Sequence, residues 1–147
     1  MATQKLILNT ALVTQNFFDD TNLLGVVLPI SDYQFCWHIN KLLYYDFRNN
    51  NNREIHLVKN KRNYYFSIYQ FNIPNTELTH YIYNNKYDGE YLLPEFKHLD
   101  FLWLTKGETM SSTHIQQIVQ SIKLVPQVQL VTILTNEKIK HKEYLVL

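Results

Sequence analysis

The chain predicts an α+β fold, a two-layer sandwich in which a mostly antiparallel sheet of about six or seven strands carries two helices, with ferredoxin-like character. Three observations point there. Residues 33–45 and 112–124 place apolar side chains at helical spacing. Between and around them lie short runs rich in β-branched and aromatic residues, bounded by Asn, Asp, Gly and Pro. Residues 99–134 read as strand, helix and strand, a β-α-β unit whose expected connection is a parallel, right-handed crossover.

Taken in order, residues 5–8 (KLIL) and 11–13 suit a first strand or an extended arm. Residues 23–28 (LLGVVL) form a compact apolar run stopped by Pro29, which predicts a buried strand, and Gly25 within it marks a close backbone approach. Ser31 and Asp32 offer oxygens to cap the first helix. Phe35, Cys36, Ile39, Leu42 and Leu43 form its apolar stripe. A second line, Tyr33, Trp37, Asn40 and Tyr44, runs beside that stripe and is wider than one sheet contact requires: either a broad face is buried, or the line is an exposed partner site. Asn49 to Asn52 form a low-complexity loop.

Beyond it, residues 55–58 and 63–71 read as a hairpin with a basic tip at residues 59–62. In its second arm Tyr64, Phe66 and Ile68 face one way, and Tyr65, Ser67, Tyr69 and Phe71 the other. Both faces then need cover, one from helices and the other from the chain's own tail or a partner. Residues 78–83 and 89–93 predict a further hairpin ended by Pro94. Residues 99–104 resume an apolar strand with Asp100 as its single charge. Thr109, Ser111 and Ser112 are candidate caps for the second helix, with Ile115, Ile118, Val119 and Ile122 on its apolar face. Residues 128–134 return as a strand, and the tail from residue 136 suits an edge strand.

A length of 147 residues fits one domain spanning 1–147, large enough to bury a core without staples. With 14 basic and 13 acidic residues and a net charge of +1, no general attraction to nucleic acid or acidic membrane arises. The lone Cys36 makes no internal disulfide, no signal-peptide pattern is present, and no apolar run reaches membrane-spanning length. These features predict a cytoplasmic, soluble protein with no membrane association.

Enzyme signatures are mostly missing: there is no Gly-rich phosphate loop, H-E-x-x-H, paired-Cys motif or G-x-S-x-G elbow. The six His are scattered without metal-ligand spacing, so no metal and no cofactor are expected. Cys36 and His38 fail as a nucleophile and base because residues two apart on a helix point in different directions.

Leu93-Pro94-Glu95, three intervening residues, then Leu99-Asp100-Phe101 resemble the signature of the IPExxxVDY family, small proteins of Bacteroidetes-type bacteria, with Leu, Leu and Phe where the signature has Ile, Val and Tyr. The likeness extends upstream through residues 23–43, LLGVVLPISDYQFCWHINKLL, and downstream through the second helix and last strand. The resemblance implies one domain in a bacterial cytoplasm and no secreted role; it implies no activity. Read physically, Glu95, His98 and Asp100 either gather as a polar cluster for acid-base work or serve structurally. In the structural reading Glu95 caps a turn and Asp100 is a buried hydrogen-bond acceptor, because a carboxylate in so apolar a strand is costly unless satisfied.

Two binding readings remain. The leading one is a non-enzymatic interaction or adaptor module that meets a protein partner or its own copy through Tyr33, Trp37 and Tyr44, since exposed Trp and Tyr anchor interfaces. The alternative is RNA binding through Lys61, Arg62 and Tyr64, because residues 62–69 (RNYYFSIY) are similar to the aromatic strand of an RNA-recognition motif without its small residues. A small-ligand or catalytic domain built on Glu95, His98 and Asp100 is the third.

Overall fold

A computed structural model describes residues 20–50, 52–135, 139–140 and 142–145. The expected strand or arm at residues 5–13 lies outside the described residues. The elements are β1 (Asn22–Val27), α1 (Asp32–Leu43), β2 (Arg48–Asn49), β3 (Ile55–Lys59), β4 (Arg62–Phe66), β5 (Ile68–Asn72), β6 (Thr79–Asn84), β7 (Lys86–Tyr87) and β8 (Glu90–Tyr91). A 3-10 turn at Pro94–Phe96 leads into β9 (Phe101–Lys106), α2 (Ser112–Lys123), β10 (Leu130–Leu134) and a further 3-10 turn at Lys142–Leu145.

Local chemistry accounts for the helix ends. Ser31 closes a capping box on α1: its amide donates to Gln34 Oε1 at 3.1 Å and its Oγ accepts from the Gln34 amide. The helix ends at Tyr44, which turns left-handed with φ 57°. Ser111 caps α2 by accepting the His114 amide at 3.1 Å.

The main sheet has six strands in the order β10-β1-β9-β6-β5-β2, every neighbouring pair antiparallel. With the β2–β5 and β7–β8 segments set aside, the chain runs β1-α1-β6-β9-α2-β10 in the spatial order β10-β1-β9-β6. That is the split β-α-β-β-α-β arrangement of a ferredoxin-like fold. The α+β expectation holds. The β9-α2-β10 unit does keep its two strands parallel, but they are not adjacent: β1 lies between them, antiparallel to both.

Both hairpins depart from expectation. The long arm at residues 63–71 breaks at Ser67, so that β4 pairs with β3 in a separate two-stranded sheet while β5 joins the main one. Ser67 donates its hydroxyl to Asp32 at the head of α1, which ties the break to the helix. The β3–β4 connection turns through Asn60 and Lys61, both at positive φ (52° and 65°), as a two-residue hairpin requires. Residues 89–93 do not pair with β6. β6 is taken on both sides by β5 and β9, leaving β8 only β7.

Strand alternation divides the core in two. Leu24, Val26, Ile82, Phe101 and Trp103 point to one face, where Phe35, Ile39, Ile118 and Ile122 of the helices cover them. Leu23, Ile68, Tyr83, Leu102 and Leu104 point to the other, roofed by Tyr64 and Phe66 of β4, by Leu93, Phe96 and Leu99, and by Ile139 and Leu145. The tail residues described here therefore pack on a sheet face, not at an edge. The buried Tyr83 hydroxyl donates to the Leu145 carbonyl at 2.8 Å, and burial pushes its pKa well above the usual tyrosine value. Gly25 is the close approach its position suggested: a Cβ there would collide with Leu99 Cδ1.

Candidate interaction site

α1 is fixed on its inner side by Phe35, Cys36 and Ile39 and presents its second line outward. Tyr33, Trp37 and Tyr44 are 63%, 53% and 93% exposed. Asn40, the fourth member of that line, turns instead to the following loop, where it accepts the Phe47 amide at 2.8 Å and donates to the Phe47 carbonyl at 3.2 Å. Those two bonds hold the loop after Tyr44 against the helix. Lys41 lies over the Trp37 ring at 4.1 Å from its centroid, and His38 packs edge-on to the same ring. The result is an aromatic and cationic ridge on a rigid element. Beside α2, an open groove is lined by Leu43, Ser112, Thr113, Gln116, Gln117 and Gln120, uncharged throughout.

The signature stretch behaves differently. Leu93, Leu99 and Phe101 are buried in the core, and Pro94 starts the 3-10 turn. Glu95 accepts the Lys140 amide at 3.0 Å and so anchors the C-terminal segment. Asp100 is buried; its Oδ2 accepts the Leu28 amide at 2.6 Å and its Oδ1 is ion-paired with Lys86. His98 is exposed in the turn before β9, which begins only at Phe101, so the extended geometry that would align it with Asp100 is not formed. Among the described residues no group of three or more His, Cys, Asp or Glu is arranged to hold a metal ion.

Asn85, in the connection between the expected strands at residues 78–83 and 89–93, organises this joint. Fully buried, it accepts the Leu93 amide at 2.9 Å through its side-chain oxygen and donates to the carbonyls of Phe96 at 3.0 Å and Leu99 at 2.9 Å. Its backbone accepts from Leu92 and donates to Asp100. An Asn within a short polar loop gives no sequence sign of such a role; the signal would have been an amide whose reach matches a following turn rich in free backbone groups.

On the RNA candidates, Tyr64 is buried, and the ring exposed on β4 is Tyr65, stacked on His56 at 4.7 Å between centroids. Arg62 pairs with Asp88 and Lys59 with Glu90, so acidic side chains answer the hairpin cations at these two points. Lys61 sits exposed at the tip.

A further polar pair was not foreseen. Trp103 Nε1 donates to His80 Nδ1 at 3.0 Å beneath Tyr45 and Phe47, which places the imidazole proton on Nε2. Among the described residues that buried nitrogen has no hydrogen-bond partner. Burial, with His114 adding repulsion, pushes the His80 pKa down to about 4. Cys36 is equally enclosed: burial, then the Asp32 charge, pushes its thiol well above the ordinary range.

No helix among the described residues is long and apolar enough to cross a membrane. The fold and its ridge define a ferredoxin-like α+β domain with a helix-borne aromatic surface. Compared with known protein families, curated proteins and solved structures, the chain matches none.

Proposed function

We propose that this domain is a non-enzymatic interaction or adaptor module that binds a partner protein through Tyr33, Trp37 and Tyr44. The observation that carries the reading is the exposure of two large rings on a helix and a third at its C-cap, with the opposite side of the helix sealed into the core. Rigid aromatic side chains lose little entropy on docking and dominate binding energy where they are buried. The capping box and the Asn40 bonds hold the ridge in place before a partner arrives. On the likeness of residues 93–101 to the IPExxxVDY signature, we place the protein in that family and in a bacterial cytoplasm.

The test compares wild type with a Tyr33→Ala/Trp37→Ala/Tyr44→Ala variant as bait in native lysate. Folding should be unchanged, because each ring is solvent-facing, while specific capture should fall to background. Equal capture by both baits would remove the ridge from the function.

The RNA alternative, drawn on Lys61, Arg62 and Tyr64, loses Tyr64 to burial and is supported instead by the exposed rings of Tyr65 and Tyr87. It requires salt-dependent binding of single-stranded RNA that weakens in Lys61→Ala and Arg62→Ala.

A further inference from the structure

We infer that protonation of His80 is an acid switch on the α1 ridge, freeing residues 45–47 from the sheet and displacing Tyr44 with them. The consequence for partner binding rests on the ridge reading above; the release of the segment does not.

Rings of the segment lie directly on the imidazole. Tyr45 stacks on His80 at 5.1 Å between centroids, inclined by 30°, and Phe47 meets it edge-on at 6.2 Å. From β9, Trp103 Nε1 donates to His80 Nδ1 at 3.0 Å. A protonated imidazole carries hydrogen on both nitrogens and accepts nothing. Protonation therefore sets two N–H groups against each other and leaves the buried indole without this acceptor. A buried charge and an orphaned donor are each costly.

What gives way is decided by how each neighbour is held. His80 lies on β6 and Trp103 on β9, and each strand is hydrogen-bonded on both sides, β6 to β5 and β9, β9 to β1 and β6. Residues 44–47 belong to no helix or strand. Asn40 clasps them through its two bonds to Phe47, and the rings of Tyr45 and Phe47 pack on Phe71. Lifting this segment admits water to the imidazole while the sheet stays intact, the kind of local opening that precedes global unfolding. Tyr44 comes just before it, at the left-handed cap of α1, so this ring of the ridge moves while Tyr33 and Trp37 stay on the helix.

The groups around His80 do not offset the new charge. Tyr45 is kept neutral by burial, and His114, from α2, adds repulsion. Phe71 and Thr105, the register partners on β5 and β9, do not titrate, nor do Phe47 and Trp103. Asp46, the carboxylate of the segment, is exposed and ion-paired with Arg48. The closed form therefore resists a proton that the opened form takes up readily, and linkage drives opening as pH falls.

NMR of the full chain, titrated from pH 7 to about 3.5, tests the switch. The Trp103 indole N–H and the Tyr44 and Phe47 amides should change with one midpoint, the Phe47 amide should lose its protection from solvent exchange, and the amides of β1 and β10 should keep theirs. Asn40→Ala removes the clasp and should raise the midpoint, by about one pH unit for each tenfold gain in opening. His114→Gln removes the repelling imidazole and should raise it too. His80→Gln should abolish the transition; if that variant does not fold, the two upward shifts carry the same test. Phe47 protection unchanged while Trp103 titrates, one transition shared by every amide, a midpoint that neither Asn40→Ala nor His114→Gln raises, or a transition surviving in folded His80→Gln would overturn the assignment. These readouts need no partner, so failure of the ridge as a binding site would leave them unchanged.

Discussion

Asp100 and Leu28 are joined by a 2.6 Å hydrogen bond from the Leu28 amide to Oδ2, buried and spanning 72 positions of the chain. The bond satisfies an amide just past the end of β1, which would otherwise be orphaned in the core. Asp100→Ala should cost about 3 kcal/mol in urea unfolding, the order expected when a buried donor loses a charged acceptor. Asp100→Asn keeps an acceptor of the same shape and should cost less. Equal losses for the two variants would assign the effect to the Lys86 ion pair instead.

Asn85 offers a sharper comparison. Asn85→Asp is isosteric but has no N–H to give, so the Phe96 and Leu99 carbonyls lose their donors while a charge is buried. The variant should be less stable than Asn85→Ala at neutral pH, with both losing about 3 kcal/mol or more. Thermal unfolding of the two proteins ranks them.

His80 predicts the acid response. Its pKa falls from an ordinary 6.5 in the unfolded chain to about 4 in the fold. Between those values the unfolded state binds the extra proton, so stability rises with pH. The contribution is fully present above pH 6.5 and is lost as pH falls through 4, a change of at most about 3 kcal/mol. His80→Gln, which still presents an oxygen acceptor to Trp103, should flatten this part of the stability profile measured by denaturant titration. A wild-type profile already flat from pH 7 to 4 would contradict the burial argument.

Cys36 should resist thiol reagents in the native protein and react fully once unfolded, because its thiolate is disfavoured by burial and by Asp32. Modification at the native rate of an exposed thiol would mean that α1 detaches from the sheet.

Gly25→Val should destabilise strongly, since even a Cβ at this position collides with the fully buried Leu99. Gly89→Ala provides the control: nothing lies within 4 Å of a Cβ there, so only its positive φ of 81° opposes the change, at about 1 kcal/mol.

How far the sequence revealed this molecule follows the range of the interactions involved. The helices were legible because their caps and stripes are local: Ser31, Ser111 and the apolar faces lie within a few residues of one another. The two-faced alternation of Tyr64, Phe66 and Ile68 against Tyr69 and Phe71 was legible for the same reason. The break at Ser67 was not, because the partner that holds it, Asp32, lies 35 positions away. Nor was the insertion of β1 between β9 and β10, since no local pattern names a strand's neighbours. Of the candidate site, the line Tyr33, Trp37 and Tyr44 could be read from spacing. The roles of Asn85 and His80 depend on partners that only the folded chain supplies.

Because the central sheet is apolar on both faces, hydrophobicity alone does not fix its register. A shift of β9 by one position would exchange Phe101 and Trp103 for Leu102 and Leu104, trading one apolar set for another. Polar residues must forbid that slip. Asp100 fits only against Leu28, and Trp103 reaches His80 only at the observed alignment. Asp100 thus acts as an index mark for β9 against β1, and the Trp103–His80 bond does the same for β9 against β6.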